Sequence, residues 1–188
     1  NLALGYLMEL ETPAIRAQCL AQLRDADNMT DSLTALIALA NCDCPERLEA
    51  LDWFYTRWQH EPLVVDKWLS AQASSRLPGT LASVQRLLAH PAFELRNPNK
   101  VRALVGVFSA HNPVNFHRPD GQGYRFLADQ LTLLNDINPQ ITAKMLTPLT
   151  RWRNYSGREQ LMRAELERLA ALPSLSRDAF EVITKSLQ

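Results

Sequence analysis

The chain has 188 residues, with 20 basic and 20 acidic side chains and a formal net charge of zero. That balance argues against a general nucleic-acid or membrane-surface role, since both call for a basic surplus. A chain of this length buries roughly 70% of its unfolded surface and needs no metal or disulfide to fold, and three cysteines (Cys19, Cys42 and Cys44) form no disulfide framework and point to a reducing compartment.

Only six glycines are present, and alternating Val/Ile/Thr patterns are almost absent. Apolar residues recur instead at spacings of three and four, the period of amphipathic helices. No apolar run reaches the roughly 18 residues of a membrane span, and no signal peptide opens the chain. It begins Asn1-Leu2-Ala3, which reads as a piece of a longer polypeptide.

Thr12-Pro13 opens the first expected helix, with Ile15, Cys19, Leu20 and Leu23 on one stripe. In the next, within "NMTDSLTALIALANC", Thr30 is the expected N-cap and Asp31 lies in the first turn. Leu33, Leu36, Ile37 and Ala40 form its expected buried face. Pro45 starts a third, carrying Leu48, Leu51, Phe54, Tyr55 and Trp58. The cysteines Cys42 and Cys44 lack the second pair that a closed metal site needs; they are expected as buried thiols beside a helix end.

"QHEPLVVDKW" (Gln59 to Trp68) begins with the His-Glu pair of a zinc-peptidase helix, but the fourth residue after His60 is Val64. Pro62 suits the first helical position, where its missing N–H has no partner to lose. The helix is therefore expected to begin near Pro62 and to bury Val64, Val65, Trp68 and Leu69, with the His-Glu pair ahead of it. Further helices are expected at about 80–89, 98–110, 123–136, 139–152, 157–171 and 176–187, with "HNPVNFHRPDGQG" as a break. The four tryptophans fall on or near apolar stripes and read as core residues.

About ten helices with short connections imply antiparallel neighbours. Two Asn-Pro helix starts, "NPNKVRALV" at Asn97 and "NPQITAKML" at Asn138, lie 41 residues apart, near the armadillo and HEAT period of roughly 40–47. The expected fold is a single all-α domain over 1–188, a superhelical solenoid of stacked antiparallel helix pairs.

No G-x-S-x-G elbow, phosphate loop or cysteine–histidine pairing is recognisable. The four histidines, His60, His90, His111 and His117, fall at helix ends or in loops and read as caps or surface residues. At the first Asn-Pro start, Val101, Leu104, Val105 and Phe108 make the buried stripe, which places Lys100 and Arg102 away from the core. Cations in a first turn are mildly unfavourable unless an anion faces them. The second start places Gln140 in its first turn and Lys144 one turn further on, on the same surface. These polar groups are either solvated or line a concave face that meets a charged substrate or partner.

Several strings resemble a known family: "NMTDSLTAL", "EPLVVDKW", "HPAFELRNPNKVRALVGVF", "NPVNFHRPDGQGYRFLADQ", "NPQITAKMLTPL" and "LSRDAFEVITKSL". Together, from about Tyr6 to Leu187, they resemble the C-terminal part of the bacterial aminopeptidase N family of gluzincin-type zinc aminopeptidases. The resemblance implies a cytoplasmic, four-domain parent enzyme of which this chain is the C-terminal helical superhelix. The H-E-x-x-H helix, its glutamate ligand, the substrate-binding loop and the catalytic tyrosine lie upstream in that family. This chain is accordingly expected to hold no catalytic residue and no metal, zinc belonging to the parent. Its implied role is to cap the catalytic domain, enclose a substrate chamber and restrict entry to short peptides. Arg102, Gln140 and Lys144 match chamber-lining positions; Lys144 stands where arginine is common and lacks its planar fork. The implied partners are the catalytic domain of the same polypeptide and short peptides, with neither nucleic acid nor membrane. The alternative is a stand-alone helical-repeat scaffold that binds protein partners on its concave face.

Overall fold

The computed structural model describes residues 1–188, and every regular element in it is helical. The helices are α1 (Leu2–Met8), α2 (Pro13–Asp25), α3 (Met29–Ala40), α4 (Pro45–Trp58), α5 (Pro62–Ala73) and α6 (Thr80–Leu87). They continue as α7 (Pro98–Val101), α8 (Val107–His111), α9 (Pro113–Phe116), α10 (Gln122–Asn135), α11 (Pro139–Met145) and α12 (Thr147–Thr150). The last two are α13 (Glu159–Ala170) and α14 (Arg177–Leu187). No helix is long and apolar enough to cross a membrane.

Four helix starts share one device, a proline in the first turn, where no N–H is lost, preceded by a Thr or Asn whose side chain caps the helix. Thr12 accepts from Ile15 N at 3.4 Å, as the sequence indicates. For α3 the cap is Asn28, not Thr30: Asn28 Oδ1 accepts from Asp31 N at 2.9 Å. Thr30 falls inside the helix, where its carbonyl accepts from the Thr34 hydroxyl. The α3 face is also rotated from expectation. Ser32, Ala35, Leu36, Leu39 and Ala40 are buried, while Ile37 is turned out at 40% exposure. α4 closes on its neighbours through Ala50, Leu51 and Phe54, which leaves Leu48 exposed. Trp68 is buried and donates Nε1 to Leu51 O at 2.9 Å; the other tryptophans are half-buried.

α7 and α8 are one continuous rod joined by a π-helical segment, Arg102–Gly106, in which Val107 N donates to Arg102 O. A π turn carries one residue more than an α turn and recurs at functional sites. The rod expected at 139–152 is instead broken. Pro148 has no N–H to give to Lys144 O, and the Thr147 hydroxyl donates to that carbonyl at 2.9 Å. The chain then tightens through α12 into a 3₁₀ turn at Trp152–Asn154.

The segment expected as a break contains α9, opened by a third Asn-Pro start at Asn112-Pro113. α10 seats directly on it: a Cβ on Gly123 would lie 2.3 Å from Phe116 O, so only glycine fits. All three Asn-Pro starts share a phase. The third helical residue points inward in each, with Lys100 at 8%, Asn115 at 2% and Ile141 at 6% exposure. Lys100 is therefore not on the outer surface as expected. Its Nζ lies 2.8 Å from Asp66 Oδ1 and donates to Pro62 O at 2.9 Å, neutralised by the helix that "EPLVVDKW" forms.

Each helix packs chiefly on near neighbours in sequence: α2 on α3, α3 on α4, α4 on α5, and α5 on the π segment. In the second half α10 meets α11 and α13, and α14 meets α11 and α13. That is the expected solenoid of stacked helices. One continuous apolar core of 40 buried residues runs through it from Leu4 to Ile183.

Candidate functional site

Three adjoining cavities lie along the stack. The first, about 720 Å³ between α1 and α3, is lined by Tyr6, Met8, Ile37 and Cys42 among others. Ile37 also lines the second, about 780 Å³ between α3, α5 and the α7–α8 rod. His111 at the end of that rod lines both the second cavity and a third, about 500 Å³ between α8, α9 and α11–α12. Ile37 and His111 thus each stand between two neighbouring cavities.

Arg102 lies exposed at the start of the π segment and lines the second cavity with Lys67 and the apolar Leu33, Ile37 and Leu63. Its Nη1 donates to Asn99 Oδ1 at 3.2 Å, and it pairs with no carboxylate. Lys144 lines the third cavity, exposed, together with Arg151, His117 and Tyr155. Gln140 is exposed in the first turn of α11 and lies outside all three cavities. The fold thus brings Arg102 and Lys144 to neighbouring cavities and leaves Gln140 apart from them.

The back of the third cavity is aromatic. His117 stacks on Tyr155 with ring centroids 3.7 Å apart and an interplanar angle of 21°. Its Nδ1 lies 2.9 Å from the Tyr124 hydroxyl, and its carbonyl accepts from Arg158 Nε at 3.1 Å. Burial, with the Arg158 guanidinium nearby, holds His117 below the usual histidine range. Burial pushes the Tyr124 hydroxyl up to about 12.

No three His, Cys, Asp or Glu side chains converge in a metal-binding arrangement. His60 is exposed ahead of α5, with Val64 on the first turn behind it. The cysteines are buried. Burial pushes Cys19 up to about 11 and Cys44 up to about 12, so both are thiols rather than nucleophilic thiolates.

Over residues 1–188 the sequence matches the family described as "Domain of unknown function (DUF3458_C) ARM repeats". The chain belongs to that family. Relatives of this ARM-repeat domain occur inside larger proteins. It is 40% identical over 188 residues to an aminopeptidase N of Escherichia coli, covering all of this chain and 22% of the relative. It is 44% identical over 165 residues to an aminopeptidase N of Haemophilus influenzae, covering 87% of this chain and 19% of the relative. A crystal structure of Legionella pneumophila aminopeptidase A in complex with aspartic acid superposes with a TM-score of 0.91 at 33% identity. That match covers 98% of this chain and 22% of the other. The ARM-repeat domain thus spans about a fifth of the length of these relatives and corresponds to the C-terminal domain of aminopeptidase N-like proteins.

Three residues of the third cavity escape a sequence reading. Arg151 sits in the turn between α12 and the 3₁₀ segment, where the sequence predicts helix, and a missing ion-pair partner is a tertiary property. His117 reads as a cap, and it is the C-cap of α9, but its ring stack depends on Tyr155, far along the chain. His111 reads as a surface residue, yet it lies where two cavities meet.

Proposed function

We propose that this chain is the C-terminal domain of a cytoplasmic zinc aminopeptidase that removes N-terminal residues from short peptides. In this reading it caps the catalytic domain, encloses the substrate chamber and limits entry to short peptides. Support comes from the aminopeptidase relatives of which the chain matches a fifth. The zinc would be held by the rest of the polypeptide and would supply Lewis-acid chemistry for the hydrolysis there. The residues of this chain would do the binding: Arg102, Gln140 and Lys144 face the chamber and engage the anionic end of the peptide.

The observation that carries the reading is that Arg102 and Lys144 line neighbouring cavities and pair with no carboxylate of the chain. The test is Arg102→Ala in the full-length enzyme. The KM for tripeptides should rise by roughly tenfold, as for loss of a charged contact made equally in ground and transition states. Unchanged KM and kcat in a normally folded variant would reject the role of Arg102.

A further inference from the structure

The turn between α3 and α4 carries two thiols that the proposed function does not use. Cys42 and Cys44 flank Asp43, and Cys44 N donates to Cys42 O at 3.1 Å. A hydrogen bond from residue i+2 back to residue i closes a γ-turn and brings the flanking α-carbons within the roughly 7 Å that a disulfide needs. The turn is held from outside. The Ala40 carbonyl accepts from Ser75 Oγ at 2.7 Å and from Arg47 Nε at 3.2 Å, and Asn41 Oδ1 accepts from Arg76 N at 2.8 Å. Its two cysteines are thus fixed as a pair.

The two sulfurs are neighbours. Burial first, and then the Cys42 thiol as a hydrogen-bonding neighbour, push Cys44 up to about 12. Cys19 lies near Cys42 as well but is committed otherwise: it is fully buried on α2, and its Sγ donates to Ala35 O at 3.5 Å. Of the three cysteines, Cys42 alone lines one of the three cavities, the first, of about 720 Å³. Leu2, Met8 and Ile37 share that wall with it and suit a small uncharged solute. A solute entering the cavity therefore meets Cys42 first, with Cys44 within reach of the same sulfur.

We propose that Cys42 and Cys44 form a modification site for hydrogen peroxide, at which Cys42 is oxidised from the first cavity and Cys44 resolves it as an intrachain disulfide. The site is independent of the peptidase reading. The Cys42 thiolate attacks one oxygen of the peroxide; the O–O bond breaks, an S–O bond forms, and the departing hydroxide takes up a proton as water. Cys42 is then a sulfenic acid, oxidised as the peroxide is reduced. The Cys44 thiolate attacks the Cys42 sulfur, the S–O bond breaks, and a second hydroxide leaves as the S–S bond forms. Two thiols and one peroxide thus give one disulfide and two waters. Burial of Cys44 holds the resting pair as the dithiol, so the disulfide forms only when the oxidant is present.

The test treats the protein at its full natural length with hydrogen peroxide under native conditions. Free thiols are then alkylated with iodoacetamide in urea, and tryptic peptides are mapped by mass spectrometry. Cys42 and Cys44 fall in one tryptic peptide, residues 25–47, and Cys19 falls in the preceding one, residues 17–24. After peroxide, peptide 25–47 should lose both alkyl groups and be two hydrogens lighter than the reduced peptide, while Cys19 stays alkylated. Dithiothreitol should restore both alkylation sites. In Cys44→Ser the Cys42 sulfenic acid should accumulate and be trapped by dimedone, and in Cys42→Ser the Cys44 thiol should stay reduced. The mapping of the unsubstituted protein decides the matter even if a variant fails to fold. Full alkylation of both thiols after peroxide, a cross-link between peptides 17–24 and 25–47, dithiothreitol-resistant oxidation alone, or a disulfide that forms only once the helical circular dichroism is lost would each overturn the proposal.

Discussion

The helix starts at Asn97 and Asn138 are built alike and treat their cations in opposite ways. In both, asparagine Oδ1 accepts first-turn amides, proline takes the first helical position and the third residue turns inward. At the first start that residue is Lys100, and the stack answers it with Asp66 and the Pro62 carbonyl. At the second it is Ile141, which packs as an apolar residue. Lys144 lies one turn further on and lines a cavity that holds no carboxylate. Phase relative to the cap, rather than residue type, decides whether a lysine becomes part of the scaffold or stays available to a ligand.

The sharpest way to break this comparison is to delete each charge. Lys100→Met leaves a largely buried carboxylate without its cation and should cost about 3 kcal/mol in urea unfolding. The same change at Lys144 should cost less than about 0.5 kcal/mol. Pairing Lys100→Ile with Asp66→Leu, which makes the first start resemble the second, should recover most of the loss. Equal costs at the two lysines would show that the phase distinction has no energetic content.

The caps themselves provide a smaller measure. Asn97→Ala and Asn138→Ala should each lower stability by about 1 kcal/mol, the ordinary cost of a lost N-cap. Similar values would show the starts to be equivalent in backbone terms, so that only their side chains differ. A cost near zero at either would remove that cap from the account.

The smallest effect is in pH. Burial disfavours the His117 imidazolium in the folded state, while the unfolded chain titrates near 6.5. The unfolded state therefore binds more protons below that value. The stabilisation is fully present above about pH 6.5 and fades as pH falls toward the depressed folded value. The urea midpoint should thus drop less between about pH 7 and about pH 5 in His117→Phe than in the parent chain. An identical drop in both would mean that His117 is not the group responsible.

Much of this fold is legible in the sequence because its helix starts are marked locally. Thr12-Pro13, Pro45, Pro62, Asn97-Pro98, Asn138-Pro139 and Ser176 all open helices within a residue of where they are expected. The misplacements have local causes too. Asn28 competes with Thr30 for the same cap, and Pro148 splits a rod whose apolar period continues through it. α1 is only seven residues long, with Gly5 at its centre, and too short for a period to emerge. The site was legible as to residue type and poorly legible as to partnership. Arg102 and Lys144 do reach cavities, but the burial of Lys100 depends on Asp66 in another helix. The availability of Arg151 depends on every carboxylate that the fold keeps away from it.

The π segment at Arg102–Gly106 has a consequence for how this chain can vary. It is in effect a one-residue insertion that lets the two ends of one rod answer to different neighbours. Upstream, Lys100 keeps its register with Asp66; downstream, Ser109 and His111 face the third cavity. Removing one residue would restore regular α pitch and turn every downstream side chain by about 100° relative to the upstream end. Substitutions within these five residues are constrained by the burial of Ala103, Leu104 and Val105, and a single-codon deletion there would move His111 away from both of its cavities at once.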